Sequence, residues 1–126
     1  MKILEHVAIS IYANSQIIDW KKVEKTTIKL IDEFNIKGEY RTLASELSGG
    51  NQQKLMLALI PEEIGLLLME QPTRGLDYKS AGFIWKKIKV RSYSDYGSIF
   101  STTDIEEAWE YSDYIICFSG NSITHF

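Results

Sequence analysis

No stretch of this chain reads Gly-x-x-x-x-Gly-Lys-Ser/Thr, the loop whose backbone amides cradle the phosphates of a nucleotide. Without that cradle the 126 residues have no evident way to hold a nucleotide's phosphates, and they are enough for one small domain only. Cysteine occurs once, at Cys117, so no internal disulfide can form. Its place in an apolar, strand-like run predicts a small buried hydrophobe. Basic residues are not in excess: 14 Lys and Arg against 17 Asp and Glu give a net charge of −3, no field to gather nucleic acid or an anionic membrane. The apolar run at residues 64–69, which no other exceeds in length, is too short to cross a bilayer. An acid follows closely in Met1-Lys2-Ile3-Leu4-Glu5-His6, where a signal peptide needs unbroken apolar residues. Proline is confined to Pro61 and Pro72, and no repeat or low-complexity linker interrupts the chain, so a single domain is expected. These absences suit a cytosolic protein or a cytosolic face.

What is present has an ordinary globular composition, 44% hydrophobic and 25% charged. From residue 19 to 34, Trp20, Val23, Thr27, Leu30, Ile31 and Phe34 fall at helical spacing, and Lys37-Gly38 is read as the stop. Ser48 reads as an N-cap, with Gly49 and Gly50 opening a helix that runs to about Ile60, before Pro61. Residues 65–70 form a short continuous apolar run ending in an acid, the pattern of a buried parallel strand. Ala81, Ile84, Trp85 and Ile88 then repeat as an amphipathic helix, and residues 98–102 read as a second strand. Asp104 with Glu107 is an acidic variant of the capping box, starting a helix expected to turn Ile105, Ala108 and Trp109 inward. Residues 114–118 give a third strand, and Ser119-Gly120-Asn121 turns it into a short last one. Strands alternating with helices imply a parallel α/β core, and the mainly helical chain before Ser48 reads as a separate layer.

Two segments carry chemistry. The first is Leu47-Ser48-Gly49-Gly50-Asn51-Gln52-Gln53-Lys54. A helix N-terminus leaves backbone N–H groups unpaired and carries partial positive charge, and two glycines let an anion approach them closely. The Ser48 hydroxyl can add a further donor, which makes a phosphate-binding edge. The second is Glu70-Gln71-Pro72-Thr73-Arg74-Gly75-Leu76-Asp77, at the end of the apolar strand. A carboxylate in that position can hold Mg²⁺, and a carboxylate next to it can orient an attacking water.

In this order and spacing the two segments resemble the second half of an ABC-type ATPase domain, best that of bacterial importers for simple sugars and nucleosides. The resemblance covers roughly residues 7–124 and is strongest over 43–77. It implies a partial P-loop NTPase (ABC ATPase) core with an N-terminal helical subdomain segment: helical over about 1–62, α/β over about 63–126. Leu-Ser-Gly-Gly is that family's signature motif, extended here in the form typical of the sugar and nucleoside group. Ser48, Gly49, Gly50 and Gln52 match the positions that contact the γ-phosphate of ATP held by the opposite domain. Gly75, Leu76 and Asp77 match the dimer-contact loop. Glu70 stands where the family has the Walker B aspartate and is one methylene longer, so the Mg²⁺ role the resemblance implies for it comes with shifted geometry. Gln71 stands at the catalytic glutamate and cannot act as a base. Thr103, in Ser101-Thr102-Thr103-Asp104, stands at the switch histidine. His6 and His125 cannot replace it by position, and surface or packing roles are expected for both.

The resemblance therefore implies a C-terminal fragment of an importer's ATP-binding subunit, lending an intact signature and a degenerate Walker B to a composite ATP site. ATP and Mg²⁺ would be cofactors of the full assembly, and the fragment alone is expected to be inactive. The implied partners are a second ATPase domain, the transmembrane permease subunits and, indirectly, a substrate-binding protein, but no nucleic acid. The implied location is the inner face of the cell membrane. Two other readings stay open: a non-transport ABC ATPase, and a free-standing interaction module without ATPase chemistry. In this family the phosphate-loop strand lies between the strands near Ile99 and Ile116, so its absence would leave two open strand edges. The alternation Val7, Ile9, Ile11 is a candidate to fill that slot.

Overall fold

A computed structural model describes residues 1–61, 64–92, 97–120 and 122–126, and the side chains of all of these except residues 91 and 92. The expected junction between the helical and α/β parts, at Glu62 and Glu63, lies outside the described residues, as does Asn121 of the last turn.

The chain opens with α1 (Ile3–Tyr12), which overturns the expectation of a filler strand through Val7, Ile9 and Ile11. Ile3, Val7 and Ala8 are buried at helical spacing, whereas Ile9 and Ile11 are exposed. The helix is started by non-local partners. The N–H groups of Ile3 and Leu4 donate to Thr42 O and Tyr40 O, both at 3.0 Å, while Lys2 N–H is held locally by Glu5 Oε2 at 2.7 Å. These satisfy first-turn donors that a helix leaves orphaned.

Next comes α2 (Trp20–Glu33), capped by Asp19, whose Oδ1 accepts from Lys21 N–H at 3.0 Å and Lys22 N–H at 3.1 Å. Val23, Thr27 and Phe34 are buried as the spacing predicts, while Trp20 is exposed. The Thr27 hydroxyl donates to Val23 O at 2.7 Å, so this buried polar group is satisfied. Lys37-Gly38 is not the stop. Asn35 takes a left-handed φ of 48°, with Asn35 N–H on Asp32 O at 3.0 Å and Ile36 N–H on Ile31 O at 2.9 Å. That pair of bonds is a Schellman closure, and the buried Ile36 seals it.

A 3-10 turn (Ala44–Glu46) leads into α3 (Gly49–Ala58), which buries Leu55, Leu57 and Ala58. Its C-terminal carbonyl at Leu59 accepts from the Ser10 hydroxyl at 2.8 Å, binding α3 to α1. Then β1 (Leu66–Glu70), α4 (Tyr78–Ser92) and β2 (Gly97–Ser101) form a parallel β-α-β unit, with Leu66 opposite Gly97 and Glu70 opposite Ser101. The buried face of α4 is Ile84, Trp85 and Ile88. These residues join α1, α2 and α3 in one apolar cluster, against which Met69 and Phe100 pack. An ion pair from Lys87 Nζ to Glu33 Oε1, 3.1 Å, links α4 to the end of α2.

Three burial expectations are corrected. Strand β1 is covered on one face only: Leu67 and Met69 are half-buried, but Leu66 and Leu68 are exposed, as is Ile99 beside them. On α5 (Ile105–Tyr111), Ile105 and Trp109 point outward at 82% and 71% exposure. Its inward side carries Glu107, Ala108 and Tyr111. Cys117 is exposed, on β3 (Ile116–Ser119). That strand pairs antiparallel with β4 (Ser122–His125), Cys117 opposite Thr124. Among the described residues β3 and β4 form a sheet of their own, and no strand pairs with β2 except β1.

Candidate functional site

Ser48 has the extended backbone of an N-cap, φ −61° and ψ 155°, and its carbonyl accepts from Gln52 N–H at 2.9 Å. Its hydroxyl does not cap the helix. Instead Ser48 Oγ accepts from Asn51 Nδ2 at 2.8 Å, while Asn51 Oδ1 accepts from Lys37 N–H at 2.9 Å. The Lys37 N–H fixes which end of the Asn51 amide is oxygen, so Ser48 Oγ receives a hydrogen and keeps its own to donate. Gly49 is open: a Cβ placed on it would meet no atom within 4 Å. Gln52 turns away from that edge, its Nε2 donating to Ala44 O at 3.2 Å and Leu47 O at 3.1 Å. Its side chain therefore braces the preceding turn.

The loop after β1 is tightly wound. Gln71 sits in the left-handed region at φ 44°, a conformation that costs a non-glycine residue on the order of 1 kcal/mol. Gly75 takes φ 75° at no steric cost. Bonds from Arg74 N–H to Gln71 O (3.1 Å) and from Leu76 N–H to Thr73 O (3.0 Å) close the turns, and Gln71 N–H reaches Ser101 O at 2.8 Å. Asp77 ends the loop as the cap of α4: Oδ1 accepts Ser80 N–H at 3.1 Å and Oδ2 accepts the Ser80 hydroxyl at 2.7 Å.

Those bonds, the Ser80 hydroxyl first, hold the Asp77 carboxyl below the ordinary aspartate value. Because the folded-state pKa lies below the unfolded one, the contribution is complete above the unfolded value. It is lost as pH falls through the folded one. In Ser80→Ala the Asp77 titration, followed by carboxyl NMR, is expected to shift upward while staying below the ordinary value. An unchanged titration would reject the cap.

The structure brings the two motif segments together. A Cβ on Gly50 would lie 3.5 Å from Leu76 Cδ2 and 3.7 Å from Ser80 Oγ, so the start of α3 abuts the 71–77 loop. The stretch after β2 adjoins the same loop, joined to it by the bond from Gln71 N–H to Ser101 O and through Glu107. Thr103 is exposed, and Thr102 beside it donates to Glu107 Oε2 at 2.6 Å. Glu107 Oε1 accepts from Trp85 Nε1 at 2.8 Å and from the Thr73 hydroxyl. This junction is not a motif, and the capping-box reading of Glu107 missed it. Asp104 alone caps α5, accepting from Glu106 N–H at 3.0 Å and Glu107 N–H at 3.1 Å. The signal available in the sequence was the pair of threonines, Thr73 and Thr102, one in each loop.

Glu70 is exposed at the strand end, opposite Ser101. No group of three or more His, Cys, Asp or Glu able to hold a metal occurs among the described residues. One carboxylate fits Mg²⁺ in the way that ion is held beside substrate phosphates, by one or two carboxylates and water. His6 and His125 lie in α1 and β4, apart from these loops in the chain's order of elements.

No protein-family model matches the chain. It is 30% identical over 122 residues to the nucleoside import ATP-binding protein NupA of Lactococcus lactis, covering 91% of this chain and 24% of that protein. It is 31% identical over 112 residues to the galactose/methyl galactoside import ATP-binding protein MglA of Haemophilus influenzae, covering 86% of this chain and 22% of that protein. The L-cystine import ATP-binding protein TcyC of Bacillus subtilis is 32% identical over 107 residues, 82% of this chain and 42% of that protein. The chain thus spans under half the length of each. Among solved structures, an inward-facing metal-chelate type ABC transporter superposes with a TM-score of 0.79 at 16% identity, covering 100% of this chain and 52% of that one. A dimeric ATP-binding cassette bound to ADP and phosphate superposes with a TM-score of 0.74 at 22% identity, covering 92% and 51%.

Proposed function

Because the chain has part of the ABC ATPase cassette fold and resembles import ATP-binding proteins over most of its length, we propose that it supplies the signature half of a composite ATP site in an importer. The observation that carries this reading is the placement of Gly50 against Leu76 and Ser80, with the open edge of Ser48 and Gly49 beside it. An anion presented to that edge meets the free N–H groups of the first turn of α3 and a Ser48 hydroxyl whose hydrogen is available. ATP, when bound, supplies the transferable phosphoryl group. The residues of this chain bind and orient it from one side only, since the phosphate cradle belongs to a second ATPase domain.

The chemistry on this chain's own side is degenerate. Glu70 offers Mg²⁺ one carboxylate. Gln71, a neutral amide, can orient water but cannot take its proton, and Thr103 offers a hydroxyl where an imidazole would serve. The 1–62 part forms the helical layer and 63–126 the core part, and Gly75, Leu76 and Asp77 form the surface toward the second domain. The extended Asn51-Gln52-Gln53-Lys54 sequence, with the likeness to NupA and MglA, supports sugars or nucleosides as cargo. The chain would work at the cytoplasmic face beside transmembrane permease subunits. No helix among the described residues is long and apolar enough to cross a membrane itself.

Calorimetric titration of Mg-ATP tests the reading. The 126-residue chain is expected to bind no nucleotide, and binding should return when an upstream segment carrying a Gly-x-x-x-x-Gly-Lys-Ser/Thr loop is attached. Tight binding or turnover by the chain alone would overturn it.

A further inference from the structure

The carboxylate of Glu107 gathers three donors from three elements. Trp85 Nε1 reaches it from α4 at 2.8 Å, the Thr73 hydroxyl from the loop after β1, and the Thr102 hydroxyl from the end of β2 at 2.6 Å. Thr102 Oγ1 in turn accepts Asp104 N–H at 3.1 Å, so the same hydroxyl sets the turn that carries Thr103. Trp85 is 1% exposed and packed against Phe100 and Tyr111, which makes it a fixed post. An ionised carboxylate accepts all three bonds and has no donor of its own to place; a glutamine offers one acceptor oxygen. Bonds to a charged acceptor are also the stronger kind.

We propose that Glu107 is a positioning residue that clamps the 71–77 loop and the 102–104 turn to Trp85, so that the Gln71 and Thr103 segments shift together. The functional meaning of that coupling rests on the composite-site reading, because those two segments are the ones that would face nucleotide. The clamp itself rests only on the bonds above. Its consequence is reciprocal: loosening one arm frees the carboxylate to move and loosens the other.

Amide hydrogen exchange by NMR on the full chain tests this. In Thr73→Val, exchange at Asp104, whose N–H is held by Thr102 Oγ1, is expected to quicken about tenfold although the mutation lies in the other loop. In Thr102→Val, the Arg74 and Leu76 amides, bonded to Gln71 O and Thr73 O, are expected to quicken by a similar factor. Glu107→Gln keeps one acceptor oxygen and should retain part of the protection that Glu107→Ala loses. The valine variants preserve side-chain shape, so the test does not depend on Glu107→Ala folding. If each Thr→Val change quickens its own segment alone, as a residue that only packs would allow, the proposal fails. It fails too if the distal amides are unprotected in the parent chain. No nucleotide enters the measurement, so it is read separately from the calorimetric result.

Discussion

Trp85→Ala is expected to lower the stability of this chain by about 3–5 kcal/mol, the largest loss of any single truncation in its core. Trp85 is 1% exposed, with the Phe100 ring centroid at 4.4 Å and the Tyr111 ring stacked at 4.8 Å, tilted only 8°. Truncating a buried tryptophan costs about 3–5 kcal/mol, against a total stability on the order of 5–15 kcal/mol for a domain. The loss is concentrated here because β1 and β2 have one covered face, and Trp85 joins that face, through Phe100, to the common apolar cluster. Ring pairs of this geometry add about 0.5–1.5 kcal/mol beyond area. Trp85→Phe keeps much of the volume but loses the N–H bond to Glu107, so it should cost less. Urea unfolding followed by near-UV circular dichroism distinguishes the two. Trp20 and Trp109 are exposed and contribute little to that signal. A cooperative transition in Trp85→Ala shifted by less than about 1 kcal/mol would show that the core does not hinge on this residue.

The same tryptophan shows what the sequence could and could not say. Ala81, Ile84, Trp85 and Ile88 repeat at helical spacing, and α4 buries the last three. The Asp104 cap of α5 was legible for a similar reason: a short acceptor before an apolar period satisfies orphan amides locally, whereas the Asp19 cap of α2 emerges only in the structure. So was the order of strands and helices from Leu66 onward, and with it the cassette-like α/β class that the superpositions bear out. What was not legible depends on distant parts of the chain. α1 reads as an alternating strand through Val7, Ile9 and Ile11. It becomes a helix because Tyr40 and Thr42 take its first amides and Ile3, Val7 and Ala8 find a core. An apolar run such as Leu66-Leu67-Leu68 predicts burial on both faces, but periodicity does not reveal whether a second layer exists. α5 was misphased because Glu107 was assigned to its own cap. Three donors from Thr73, Trp85 and Thr102 draw it inward instead, which turns Ile105 and Trp109 outward. Within the candidate site, the motif residues could be named from spacing. The contact of Gly50 with Leu76, the left-handed Gln71 and the Asn51 bond to Ser48 are tertiary facts that spacing does not encode.

Gly49→Glu separates folding from function at this site. Gly49 has no positive φ, and a Cβ there meets no atom within 4 Å, so a side chain enters without strain. Replacing glycine in the first turn of a helix removes a penalty of up to about 1 kcal/mol, and an acid near the N-terminus adds about 0.3–1 kcal/mol through the helix dipole. The variant is therefore expected to unfold at the same or a slightly higher temperature than the parent. In a two-domain assembly whose other cassette carries an intact phosphate loop, the new carboxylate stands where the composite-site reading puts a phosphate. Like-charge repulsion and the loss of approach to the first-turn amides should lower ATP turnover by at least about 100-fold, the scale of deleting one preorganised donor from a transition-state site. Nucleotide affinity should change less, because the other domain's phosphate loop holds most of it. Gly49→Ala, neutral and small, should lower turnover far less. Steady-state turnover and thermal unfolding measured on the same preparations decide the matter. Unchanged turnover in Gly49→Glu would remove the start of α3 from the nucleotide site, whereas a variant both inactive and unfolded would show that Gly49 is needed for the fold rather than for an anion.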